Sequence, residues 1–337
     1  MTLNLFFFFL LLIMSTLFSI SSTNWMGAWM GLEMNLMTFI PILSSEKNML
    51  SNESTLKYFL TQSLASTFFL FSSISNSLFV SFHSNFFYST LTLMIITASL
   101  MLKLGSAPFH SWFISMLEGL SWLKIFILST IQKISPLFIM NYSKPNLNIL
   151  FLFILSCSLI GSIGGLNQTS LRKIMGYSSI NHLAWILTSM IYSKFIMLIY
   201  FLSYCFMTMI IMILFQKMKL FFSFQLFNNV KSKIMMYTIL INMLSLGGLP
   251  PFFGFLPKWM ILINLMEKNM FICTILVFTT LITLFYYIQL IMPIMLIYNN
   301  NNKLSMNNIK LNFYMIMMIS MMSSFSSIGL IMFPLLI

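Results

Sequence analysis

Residues 88–119 and 231–266 are each apolar over a length that no bilayer accommodates as one straight helix. At 1.5 Å rise per residue they would run about 48 Å and about 54 Å, against roughly 30 Å of hydrocarbon. Each carries a helix-breaking cluster near its middle, Gly105-Ser106-Ala107-Pro108 in the first and Gly247-Gly248-Leu249-Pro250-Pro251 in the second. Glycine supplies backbone conformations that end a helix, and proline removes an amide donor and clashes with the preceding turn. An interruption at membrane depth is tolerated only where the freed backbone groups face protein or a water-lined cavity. Two interrupted helices in corresponding parts of two halves are the sequence sign of a transporter-like site.

Composition fixes the solvent. Of 337 residues, 59% are hydrophobic and only 7% are charged, whereas soluble domains carry about 25% charged residues. Runs such as Leu5–Ile13 would leave apolar patches that a water-facing surface does not support. That first run has no basic n-region and no small-residue cleavage site, so it reads as a span and not as a cleavable signal, and no Arg/Ser-rich targeting leader is expected. The chain has 33 Met, 37 Phe, no Asp and Arg172 as its single arginine. This bias fits an AT-rich gene read with a mitochondrial code.

The net charge of +12 does not point to nucleic acid, because the basic residues form no phosphate-tracking stripe. They fall between apolar spans. Cys157, Cys205 and Cys273 are far apart and without metal-ligand spacing, and with only His83, His110 and His182 beside them haem or iron–sulfur ligation by this chain is not expected. No glycine-rich nucleotide motif is present.

Taking about 20 apolar residues per span, the chain reads as an all-α polytopic membrane protein of about eleven helices: 3–20, 25–45, 54–81, 88–119 (broken), 120–141, 147–166, 170–192, 194–221, 231–266 (broken), 270–297 and 310–336. The broken members are the fourth of each of two five-helix sets, 1–141 and 142–297. An odd number of spans per set inverts the second relative to the first, as in inverted-repeat transporters. Residues 298–337 form an Asn-rich loop and a last helix. Loop charges set orientation. Ten basic residues, among them Arg172, Lys173, Lys217 and Lys219, fall on the side of the N-terminus, and three, Lys144, Lys194 and Lys268, on the other. The N-terminus is therefore expected in the compartment of synthesis, the matrix for a mitochondrial protein.

Four ionisable groups cannot be placed in loops: Glu33, Lys103, Lys133 and Lys258. A charge at the bilayer centre costs roughly 2.5–3.5 kcal/mol on insertion scales, so four point to an interior polar file in which Glu33 pairs with a lysine, most simply Lys133, and titrates with it. Such a file can take up and release protons. The plainer alternative, a lysine snorkelling to the headgroups, suits Lys57 and Lys124 better, and Lys103 is open to either. His182, among Ser178, Ser179 and Asn181, and His110, just past the first break, are either relay groups or hydrogen-bonded packing residues. Glu118 is either a cap or a path entrance.

The segments 27–43 (GAWMGLEMNLMTFIPIL), 54–66 (STLKYFLTQSLAS), 101–113 (MLKLGSAPFHSWF), 164–183 (GGLNQTSLRKIMGYSSINHL) and 244–259 (LSLGGLPPFFGFLPKW) resemble the subunit 2 family of the antiporter-like NADH dehydrogenase subunits of respiratory complex I, in an insect-like form. The resemblance implies a proton-translocating core subunit of NADH:ubiquinone oxidoreductase in the mitochondrial inner membrane. Flavin, iron–sulfur clusters and ubiquinone would sit on other subunits, with no cofactor or metal on this chain. The partners it implies are other membrane-arm subunits and lipid. Glu33, Lys103, Lys133 and Lys258 match the family's carboxylate and lysines, and His182 a polar bridge, whereas Lys124 departs from the pattern. A stand-alone cation/proton antiporter, or a non-pumping scaffold of the membrane arm, is the competing reading.

Overall fold

The computed structural model describes residues 2–44, 48–81, 86–229, 233–300, 321, 323–324 and 326–327. Most of the expected last helix, 310–336, and His83 lie outside the described residues. The chain forms two compact units, Met1–Ser156 and Cys157–Ile337, and every named element is helical. The first unit holds α1 (Thr2–Ser21), α2 (Trp25–Leu43), α3 (Met49–Ser81), α4 (Phe86–Leu104), α5 (Ser111–Leu117), α6 (Trp122–Ser129) and α7 (Ile131–Ser143), and α8 (Leu147–Ile163) runs across the boundary. The second holds α9 (Leu171–Tyr192), α10 (Lys194–Lys217), α11 (Ser223–Asn229), α12 (Lys233–Gly247), α13 (Phe255–Met266) and α14 (Met270–Asn300).

About eleven helices, two of them broken, were expected; among the described residues four segments are long and apolar enough to cross a membrane by themselves: Trp25–Leu43, Trp122–Ser143, Lys194–Lys217 and Met270–Pro293. Others are shorter, and α3 and α9 are long but rich in hydroxyls. Those hydroxyls are satisfied within their own helices, as where Ser66 donates to Ser63 O at 2.8 Å and Ser179 to Gly176 O at 2.7 Å. This lets a polar sequence stay helical away from water. Every residue of α9 from Ser178 to Met190 is buried, so this helix is enclosed on all sides despite its polar composition.

Both expected interruptions are present and are built alike. At the end of α4, Gly105 has φ +66°, its amide donates to Leu102 O at 3.1 Å, and Ser106 N donates to Met101 O at 3.1 Å. At the end of α12, Gly248 has φ +79°, donating to Ser245 O at 3.0 Å while Leu249 N donates to Leu244 O at 3.3 Å. Each is a Schellman motif with glycine at the left-handed position, and each is followed by a cis prolyl bond, Ala107–Pro108 and Pro250–Pro251. In the second unit the chain end returns to the break, where Phe253 N donates to Ser326 O at 2.8 Å.

The span expected at 120–141 is interrupted too, at Thr130 (φ −120°, ψ −75°), between α6 and α7. Pro136 lies farther on, inside α7, where it leaves the Gln132 carbonyl without its usual amide donor. Helix α14 runs to Asn300, into the stretch expected as a loop from residue 298, and the short α11 lies in what reads from sequence as a connection.

A Cβ at Gly248 would meet Lys258 Nζ at 2.9 Å, and one at Gly105 the Phe113 Cβ at 3.0 Å. Alanine at either is expected to cost about 1–2 kcal/mol from the left-handed backbone alone. The further contact at Gly248 should make Gly248→Ala the worse of the two in thermal unfolding of the assembled protein.

Candidate functional site

In the first unit, polar side chains from four helices meet around two buried lysines. Lys103, in the last turn of α4, is 9% exposed, and Lys133, in the first turn of α7, is 2% exposed. Asn35 on α2 accepts from Gln132 Nε2 at 3.0 Å and donates to Ser135 Oγ at 3.4 Å. Tyr58 on α3 donates to Gln132 Oε1 at 3.3 Å, and Gln62 donates to the Lys103 carbonyl at 3.3 Å. The Lys133 ammonium lies 5.6 Å from the centroid of the Phe113 ring on α5, within cation–π range. These groups line a cavity of about 20 Å³, room for about one water.

Glu33 is half-buried on α2. Its carboxylate acts electrostatically on Lys103 and Tyr58. Asn35, two residues on, takes the face towards α7. Glu53 and Lys57 on α3 form an ion pair at 2.6 Å. Lys57 is thus paired along an exposed helix face.

In the second unit Lys258 on α13, 5% exposed, reaches back to the interrupted end of α12. Its Nζ donates to Gly247 O at 2.8 Å and Leu246 O at 3.3 Å. It thereby satisfies carbonyls that the helix end leaves unpaired, and it brings positive charge to the negative end of a helix dipole. The ammonium lies 5.8 Å from the Trp185 ring, and Trp185 stacks on Tyr200 at 6.5 Å. His182, 7% exposed, has its Nδ1 at 2.9 Å from Tyr200 Oη. A second cavity of about 10 Å³ lies among His182, Tyr200, Ser203, Tyr204, Ser245 and Leu246.

The structure therefore brings Lys103, Lys133 and Glu33 into one neighbourhood, and Lys258 and His182 into another. His110 joins neither: it is the residue before α5, with its Nδ1 at 3.1 Å from Pro108 O. Glu118 is an exposed C-cap of α5. Lys124 has a role that sequence did not reveal. Its Nζ donates to Leu43 O at 2.7 Å and Ser44 O at 3.3 Å, closing the carbonyl end of α2 instead of snorkelling. Tyr58, Gln62, Gln132, Trp185 and Tyr200 were also missed. The two glutamines carried a signal, as amides inside apolar runs, while the aromatics are hidden among 37 Phe and 12 Tyr. No group of three or more His, Cys, Asp or Glu able to hold a metal occurs among the described residues.

Interrupted helices with buried lysines at their ends, in an all-helical bundle, define an antiporter-like membrane protein. Residues 22–283 match the family model for the NADH:quinone oxidoreductase/Mrp antiporter transmembrane region, and the chain belongs to that family. It is 46% identical to the NADH-ubiquinone oxidoreductase chain 2 of Anopheles gambiae, over 96% of this chain and 94% of that one. It is 40% identical to that of Locusta migratoria, over 95% and 93%. In fold it is similar to a chain of respiratory complex I from Thermus thermophilus with bound aureothin (TM-score 0.85, 18% identity, 97% of this chain and 78% of that one). It is also similar to a chain of an archaeal membrane-bound sulfane sulfur reductase (TM-score 0.79, 15% identity, 97% and 73%).

Replacing Lys124 by Met should remove the two carbonyl contacts at the end of α2. An expected loss of about 1–3 kcal/mol would show as a lower unfolding temperature of the assembled protein, with transport activity retained.

Proposed function

We propose that this chain is a proton-translocating membrane subunit of an NADH:ubiquinone oxidoreductase of the mitochondrial inner membrane. Electron transfer takes place on other subunits, and this one moves protons across the bilayer beside other membrane-arm subunits and lipid. The observation that carries the reading is the burial of Lys103, Lys133 and Lys258, each beside a helix interruption and each among polar or aromatic groups. An intramembrane ionisable residue is expensive and faces the bundle interior where a path runs. The names carried by the Anopheles and Locusta relatives and the codon-biased composition support the redox partner and the compartment.

Glu33 serves as the carboxylate that senses the charge on Lys103, and Lys133 receives the proton through the Gln132–Asn35–Tyr58 network. Lys258 is the proton carrier of the second unit, with His182 beside it and His110 at the edge of the first break. The five-helix sets 1–141 and 142–297 would be related by inversion, with 298–337 outside the repeat. The similar Schellman ends of α4 and α12 support that relation. The excess of basic loop residues puts the N-terminus in the matrix.

Arginine separates transport from scaffolding. It keeps the positive charge and the donors but cannot release a proton in a protein. Lys133→Arg and Lys258→Arg are expected to leave assembly intact and to lower proton pumping by roughly tenfold, or ~1.4 kcal/mol of barrier. The measurement is ΔpH formation by the reconstituted complex during NADH oxidation. Pumping at the unsubstituted rate in both variants would leave a scaffold.

A further inference from the structure

A larger cavity, of about 180 Å³, lies in the second unit away from both lysine neighbourhoods. Its polar lining is Gln168 from the α8–α9 connection, Ser223 at the start of α11, and Tyr286 and Gln289 on α14. These are four of its eight lining residues, the others being apolar or glycine. The space has room for several waters, a single one needing about 10–15 Å³. Gln168 and Ser223 are half-buried, at the end of the unit where the backbone of residues 169–171 pairs with residues 221–223 and where Arg172 and Lys173 begin α9. The cavity thus sits at the aqueous end of the unit.

Its inner wall is Tyr286, 2% exposed, with a buried hydroxyl that completes no hydrogen bond of good geometry. A polar group left so in an apolar interior is costly unless water reaches it. The ring of Tyr287 lies 4.7 Å from that of Tyr286. Tyr287 is 1% exposed, its hydroxyl similarly incomplete, yet close to Tyr286 and to Ser178. Ser178 and His182 are one turn apart on the same face of α9. From His182 the one-water cavity leads to Leu246, whose carbonyl Lys258 holds.

We propose that this cavity is a water-filled vestibule, and that Tyr286, Tyr287 and Ser178 relay protons from it to His182 and Lys258. The inference rests on the proton-translocating function proposed above and names the entrance to its second unit. Each hydroxyl takes a proton on its oxygen as it passes its own forward, so neither tyrosine is ionised and nothing is consumed. The two rings also pack the bundle, and phenylalanine keeps that packing while deleting the relay oxygen.

The test uses the assembled complex in vesicles, with proton uptake followed during NADH oxidation in H₂O and D₂O. Tyr286→Phe and Tyr287→Phe should each slow uptake roughly tenfold and change the solvent isotope effect, which a packing role would not alter. Normal uptake in both, with Lys258→Arg inactive, overturns the route and leaves the function standing. Normal uptake in all three overturns both. Should the phenylalanine variants fail to assemble, Ser223→Cys provides a second measurement. Labelling by a water-soluble methanethiosulfonate with loss of uptake supports the vestibule, and failure to label overturns it.

Discussion

A helix that stops inside a bilayer leaves carbonyl oxygens facing hydrocarbon, and the arrangement of this protein follows from how those oxygens are satisfied. At the first break the Schellman turn, Ser106 Oγ on Met101 O at 2.9 Å and Gln62 on the Lys103 carbonyl do the work. At the second, the ammonium of Lys258 does it directly. Even outside the breaks the device recurs, where Lys124 closes α2. Three lysines of an otherwise charge-poor chain thus stand at carbonyl ends of helices, where the dipole favours them. Lys133 stands apart, in the first turn of α7, where the dipole opposes a cation and an aromatic face is its neighbour.

This explains how apolar sequence and buried charge coexist. The bundle has room for only about one water beside each buried lysine neighbourhood, but it offers backbone dipoles and ring faces held in place by packing. The hydroxyl-rich α3 and α9 follow the same logic on a smaller scale, since their Ser and Thr side chains bond to carbonyls of their own helix. A helix enclosed on all sides, like α9, can then carry Ser178, Asn181 and His182 through the middle of the second unit.

Much of the fold was legible because it follows from length and punctuation. The breaks at Gly105 and Gly248 were visible as glycine–proline clusters inside runs too long for one span, and the buried lysines as charges too far from any loop. The Thr130 interruption carried no such punctuation. The partners were not legible. Nothing local says that Lys258 reaches Gly247, that Lys124 reaches Leu43, or that Glu33 acts on Lys103, because these contacts join helices brought together only by packing. Aromatic partners are hidden for a different reason: in a chain this rich in Phe and Tyr, composition cannot distinguish Phe113 or Tyr200 from filler.

The double grip of Lys258 has a consequence for how its charge can change. An ammonium has three hydrogens, and two of them are occupied by the carbonyls of Leu246 and Gly247. Only the third is free to depart. When it does, the neutral amine still has two donors for the same two oxygens, so the end of α12 stays tied while its electrostatic surroundings switch. For the proton-carrier role proposed above, ionisation and anchoring would thereby be separated in a single side chain, with the backbone left wound.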